Sequence, residues 1–143
     1  MSELPKVRDL MDRDFVTLRP RMEIGEAINL LMDKRITGAA VVGEDGEAIG
    51  LLSEGDCVNT LLRGAYDCQP SGVVADFMSK DFETITPEAT IFELAEAFSR
   101  VSRRRLLVEE EGRLIGQITR RDLLRSIQKH MQGSAGWTDL SES

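Results

Sequence analysis

Two short segments of this chain place the same chemistry at the same spacing. Ser53-Glu54-Gly55-Asp56 and Thr119-Arg120-Arg121-Asp122 each set a hydroxyl three residues ahead of a carboxylate. A hydroxyl at a helix start accepts a backbone N–H or donates to a phosphate, and the unpaired N–H groups there attract anions. An ionised carboxylate is acceptor-only, so Asp56 or Asp122 can accept two hydrogen bonds from neighbouring hydroxyl or N–H donors. Taken alone, each pattern reads more readily as a capping box that starts a helix than as a ligand site. Arginines gather around the second segment: Arg103, Arg104 and Arg105 precede the strand pair that leads to Thr119, and Arg120 and Arg121 follow it. A planar guanidinium gives phosphate paired, charge-assisted hydrogen bonds. These arginines predict a local phosphate-friendly field around one cleft in an otherwise acidic chain. Arg103 or Arg120 is expected instead to be a solvated charge, paired with Glu109, Glu110 or Glu111.

The rest of the composition excludes other chemistry. A net charge of −7 over 143 residues argues against a nucleic acid partner, which needs a cationic face. Cys57 and Cys68 lack metal-ligand spacing and a secretory context, so both are expected to be free thiols. His130 is the single histidine, and no nucleophile–base pair, metal cluster or phosphate loop accompanies it, so neither an enzyme nor a metal site is expected. No apolar run approaches membrane-spanning length and no signal segment opens the chain, which predicts a cytoplasmic protein with no membrane partner.

The elements that position these residues occur twice. Residues 7–43 realign with 74–110 at an offset of 67, pairing Asp9 with Asp76, Met11 with Met78, Thr17 with Thr84 and Pro20 with Pro87. One residue is lost in the acidic turn near Glu44, and Gly46, Gly50 and Asp56 then meet Gly112, Gly116 and Asp122 at an offset of 66. Such a unit normally relies on its neighbour to bury what it cannot bury alone. Repeat one is predicted to hold a short helix over Val7–Met11, a strand over Val16–Leu18 and a helix over Ile24–Arg35. A hairpin of Ala39–Val42 and Ala48–Leu52 and a helix over Glu54–Leu62 follow. Ile24, Ala27, Ile28 and Leu31 form one helical stripe, matched by Ile91, Leu94, Ala95 and Phe98. Leu106–Glu109 and Leu114–Ile118 form the second hairpin, and Thr90 with Glu93 is a capping-box signal. The expected organisation is an N-terminal tail at 1–6, repeat one at 7–63, a linker at 64–72, repeat two at 73–131 and a flexible tail at 132–143 containing Trp137.

The Val7-x-Asp9-x-Met11, Thr17-x-x-Pro20 and ITGAAVVGEDGEAIGLLSEGD stretches resemble one CBS domain, named after cystathionine β-synthase. Val74-x-Asp76-x-Met78, Thr84-x-x-Pro87 and RRRLLVEEEGRLIGQITRRD resemble a second. The resemblance runs from Val7 to about Met131 and identifies a free-standing CBS pair, or Bateman module. It implies an α/β (α+β-like) fold of two tandem repeats. Each is a β-α-β-β-α unit with a short preceding helix, and the two pack about a pseudo-twofold axis. It also implies a non-enzymatic regulatory module that binds AMP, ADP or ATP in the cleft between repeats and signals through a homodimer or a regulated protein. S-adenosylmethionine and NAD are less favoured ligands, and no cofactor is required. The alternative is a ligand-free interaction or dimerisation module with degenerate pockets. The family's ribose signature, Gly-x-x-Ser/Thr-x-x-Asp, falls on Gly50–Asp56 and Gly116–Asp122. Ala40 and Leu107 stand where the family commonly has proline.

The resemblance implies ligand contacts from Ser53, Asp56, Thr119, Arg121 and Asp122, with Arg104 and Arg105 facing phosphate. An apolar slot for adenine is expected from Thr17, Gly38, Ala39, Thr84 and Leu106, with Leu18 and Ile85 behind it in the core. The two copies differ in charge. Repeat one has Ile36-Thr37-Gly38 in place of the arginines, and Glu54 beside Ser53. The Asp122 site is therefore the expected nucleotide site, and the Asp56 site is expected to be empty or to take adenosine alone, unless an arginine of repeat two reaches it.

Overall fold

The computed structural model describes residues 4–63, 71–100 and 104–133. Repeat one contains α1 (Val7–Leu10), β1 (Thr17–Leu18), α2 (Ile24–Lys34), β2 (Gly38–Val42), β3 (Ala48–Ser53) and α3 (Glu54–Arg63). Repeat two contains α4 (Val74–Phe77), β4 (Thr84–Ile85), α5 (Ile91–Arg100), β5 (Arg105–Glu110), β6 (Arg113–Thr119) and α6 (Arg120–Gly133). The two sheets, ordered β1-β2-β3 and β4-β5-β6, share one topology. In each, the first strand runs parallel to the second and the second is antiparallel to the third. Even the irregularities match: the register shift between Val41 and Val42 recurs between Val108 and Glu109.

The helix stripes form as their spacing dictates. Ile24, Ala27 and Leu31 are buried on α2, and Ile28 packs half-buried beside them. Arg35 ends α2 in the left-handed conformation (φ 54°), with its N–H returning to the last turn. On α5 the buried face comprises Ile91, Leu94, Ala97 and Phe98, whereas Ala95 is exposed. The α5 stripe is thus rotated slightly from the expected one, towards Ala97. Thr90 and Glu93 close the capping box reciprocally at 3.0 and 3.2 Å.

The short helices change places. α1 precedes repeat one in sequence but packs on repeat two. The Val7 and Arg8 N–H groups donate to the Ala89 and Pro87 carbonyls (2.8 and 2.9 Å), and Val7 and Met11 join the core of Leu94, Phe98, Leu106, Val108 and Ile118. α4 does the reverse. The Val74 and Ala75 N–H groups reach the Met22 and Pro20 carbonyls (both 2.9 Å), and Val74 joins the core of Leu18, Ile24, Leu31, Val41 and Leu52. After each short helix the chain bridges a third strand, Asp12 to Gln117 and Ser79 to Leu51. Gly116 and Gly50 permit this approach. A Cβ there would lie 2.7 Å from the Met11 sulfur and 2.6 Å from the Met78 sulfur. The repeats are therefore interlocked, each core being completed by the other's leading segment.

The linker residues 64–70, Arg103 and the tail from residue 134, including Cys68 and Trp137, lie outside the described residues. α6 itself runs to Gly133, into the segment expected to be a tail. Among the described residues no helix is long and apolar enough to cross a membrane.

Candidate functional site

β2 and β5 each begin one residue earlier than the apolar pattern indicates, at Gly38 and Arg105. This pairs Gly38 with Ser53 and Arg105 with Thr119, bringing each loop before the central strand beside a hydroxyl at a helix start. The two loops also meet each other. Arg105 Nη1 donates to the Gly38 carbonyl (2.9 Å) and Nη2 to Thr37 Oγ1 (2.9 Å), while Gln117 Oε1 stands 3.5 Å from Nη1. Gly38 and Arg105 are the same position in the two repeats. Equivalent residues touch only where a twofold axis passes between them, so this contact marks the pseudo-axis.

On one side of the axis lies a cavity of about 330 Å³, where Thr37, Gly38, Leu51, Ser53, Glu54 and Gly55 of repeat one face Arg104 and Arg105 of repeat two. Neither arginine makes a salt bridge among the described residues, although Glu54 shares the cavity. Burial, and then the charge of Arg104, push the Arg105 guanidinium below its ordinary pKa. An anion in this cavity would relieve the repulsion between the two cations and meet the forks of both.

Both hydroxyl–carboxylate pairs form capping boxes. Asp56 Oδ2 accepts the Ser53 N–H and hydroxyl (2.9 and 3.0 Å), and Ser53 Oγ accepts the Asp56 N–H (3.2 Å). Asp122 and Thr119 repeat this at 2.8, 3.0 and 3.2 Å. Their second oxygens differ. Asp122 Oδ1 is engaged by Arg125 Nη1 at 3.1 Å, whereas Asp56, with Asn59 at the equivalent place, has no partner on Oδ1 among the described residues. Asp56 thus keeps the less engaged carboxylate, although it lies just behind the cavity lining at Gly55, and Asp122 lines a separate groove beside α1.

The CBS domain family model matches residues 7–63 and 74–129. The chain belongs to the CBS domain family. Its two matches make it a CBS pair, and the fold agrees: AcuB of Vibrio cholerae superposes with a TM-score of 0.80 at 21% identity, covering 92% of this chain and 98% of that one. CBSX2 in complex with AMP gives 0.74 at 24% identity over 87% and 97%. The CBS pair of MJ0100, in complex with 5′-methylthioadenosine and S-adenosyl-L-methionine, gives 0.73 at 19% over 88% and 98%. In sequence the chain is 32% identical over 119 residues to MJ1225 of Methanocaldococcus jannaschii. It matches 26% over 127 residues of an Aquifex aeolicus A-adding tRNA nucleotidyltransferase. It spans only 41% and 15% of the lengths of these two relatives.

Within this CBS pair, the cavity gathers Gly38, Ser53, Arg104 and Arg105 from the residues expected to bind ligand. The expected clustering of arginines around Thr119 is corrected. Arg104 and Arg105 lie with Ser53, Arg120 sits over the Phe98 ring at 6.0 Å, and Arg121 lines a shallow depression with Leu124 and Gln128. The reason is geometric: successive residues at the start of α6 diverge by about 100° around the helix, so they cannot all face Thr119. Ala39 and Leu106 are each 1% exposed and belong to the cores, because residues after the first on a central strand are covered on both faces. Thr17 and Thr84 are exposed at the starts of β1 and β4, and line none of the described cavities. Leu18 and Ile85 pack in the cores as expected. Thr37 and Leu51 are cavity residues that the sequence reading missed. Thr37 could have been found as the counterpart of Arg104, since loops meeting at an axis bring their equivalents together.

Cys57, on α3 beside Asp56, is half-buried among apolar neighbours, and burial followed by the charges of Asp56 and Glu54 raises its thiol pKa. Among the described residues no group of three or more His, Cys, Asp and Glu side chains is placed to hold a metal.

Proposed function

We propose that this CBS pair is a non-enzymatic sensor that binds an adenosine-containing nucleotide in the cleft at Ser53. The observation that carries the reading is the cavity where Arg104 and Arg105, unpaired with any carboxylate among the described residues, face Ser53 across the repeat boundary. Phosphate meets the two guanidinium groups beside the Gly55 N–H, the ribose reaches past Gly55 toward Asp56 Oδ1, and the base lies against Leu51 and Gly38. A volume of about 330 Å³ is at the small end for ligand clefts, which favours a monophosphate. The AMP complex of CBSX2 and the S-adenosylmethionine complex of MJ0100 support an adenosine ligand.

Binding becomes a signal because Arg105 links the two repeats. A phosphate that draws Arg105 from Thr37 and Gly38 favours one arrangement of the repeats over another, and unequal affinity for two states is what shifts their balance. The response passes to a second copy or a regulated partner, in a cytoplasmic setting. Val58, Leu61 and Leu62 on α3 expose 63%, 58% and 78% of their surface, and a homodimer would cover them. Calorimetry against AMP, ADP, ATP, NAD and S-adenosylmethionine tests the proposal; a folded protein that binds none of them refutes it.

One observation favours the alternative, a ligand-free interaction module: Arg105 already has neutral partners in Gly38 and Thr37. Recovery of one partner protein at the same yield with and without nucleotide would support that reading.

A further inference from the structure

Away from the inter-repeat cleft, α1 and α6 diverge around a groove of about 930 Å³. Its pseudo-symmetric counterpart, between α4 and α3, is bridged by Arg63. There Arg63 lies 4.9 Å from the Phe77 ring centre and donates to the Asp76 carbonyl (3.1 Å), and Thr60 donates to the Cys57 carbonyl (2.6 Å). In the open groove Leu10 stands for Phe77, Lys129 for Arg63 and Ser126 for Thr60. Ser126 is only 4% exposed, yet its hydroxyl lines the groove without a hydrogen-bond partner among the described residues. Lys129 likewise has no carboxylate partner there.

The charges changed as well. Lys6, Arg8 and Arg125 line the groove where the α4–α3 counterpart has Val73, Ala75 and Asn59. The groove's carboxylates are already engaged. Asp9 accepts the Lys6 backbone N–H, Glu88 pairs with Lys6 and Arg8, and Asp122 pairs with Arg125. A hydroxyl that opens only onto the groove, one helical turn from an unpaired ammonium and beside a guanidinium and apolar Leu10, matches a phosphate on an apolar body.

We propose that the α1–α6 groove is a second binding site, for a small organic phosphomonoester, held by Ser126 and Lys129 with Arg125 at its side. It stands independently of the nucleotide proposal, since it shares neither Arg104 nor Arg105. The test is an amide NMR titration of the full chain with phenyl phosphate and, separately, inorganic phosphate. The expected result is saturable shifts at Leu10, Ser126 and Lys129 with phenyl phosphate binding the tighter. Lys129→Ala should weaken binding about tenfold and Arg105→Ala should leave it unchanged. Leu10→Phe with Lys129→Arg, which copies the bridged counterpart, should remove binding while the spectrum stays folded. Should that pair unfold the protein, Lys129→Ala alone decides, because its side chain is exposed. Shifts confined to Ser53 and Arg104, non-saturating shifts, or equal affinity in Lys129→Ala would overturn the proposal.

Discussion

Arg104 and Arg105 are adjacent, but the structure assigns them separable effects. Arg105 donates to Gly38 and Thr37 across the repeat boundary at 2.9 Å each, while Arg104 is exposed and makes no such bond among the described residues. Hydrogen bonds from a charged donor contribute about 1.5–3 kcal/mol each, less what it costs to desolvate the guanidinium. Arg105→Ala should therefore lower the unfolding free energy by about 1–2 kcal/mol net, whereas Arg104→Ala should change it by less than about 0.5 kcal/mol. For binding the two converge. Each removes a charge-assisted contact to phosphate, so each should weaken AMP binding by about tenfold or more. Urea denaturation gives the first quantity and calorimetry the second. If Arg104→Ala keeps its full AMP affinity while Thr119→Ala abolishes binding, the occupied site is the opposite one and the argument from the Ser53 cavity fails. If Arg105→Ala costs no stability, the bonds at the axis do not join the repeats in solution.

Asp56→Ala should lose both its cap, about 1 kcal/mol, and AMP affinity, while Asp122→Ala should lose its cap and the Arg125 contact but keep AMP affinity; paired calorimetry and urea melts separate them. Gly116→Ala or Gly50→Ala should destabilise by about 1–3 kcal/mol, since each Cβ would crowd a methionine sulfur and a backbone carbonyl 3.1 Å away; a urea midpoint that does not move would refute the interlocked packing. Leu61→Glu on the exposed α3 face should halve the mass seen under non-denaturing conditions if that face joins two copies. The Lys6 ammonium, and then Arg8, hold the Glu88 carboxyl below its ordinary pKa of 4.5. A folded pKa below the unfolded one favours the fold at neutral pH, and this contribution disappears as pH falls through the folded value. Both charges being exposed, Glu88→Gln should lower the melting temperature slightly at pH 7 in low salt, and match wild type in acid or high salt.

The elements were legible because their signals are local: the stripe on α2, the Thr90–Glu93 box and the turns between hairpin strands all lie within a few residues. The doubling was legible too, and it predicted that each repeat needs its neighbour. What it left open was which surface completes which core. Val7 and Val74 read alike in either arrangement, and only packing shows that each serves the other repeat. The same gap displaced the site. Counting charge along repeat two placed the arginines at Thr119, because distance in sequence stood in for distance in space. At a pseudo-twofold axis that substitution fails, since residues 67 apart, such as Gly38 and Arg105, are in contact. An arginine there belongs to neither repeat by sequence, and its side chain goes where the opposite loop offers acceptors. Gly38 offers its carbonyl and Thr37 its hydroxyl, and the charge of repeat two comes to lie at the hydroxyl of repeat one. The inequality of the two copies is what lets one pair of arginines supply a cleft whose own repeat has none in their place.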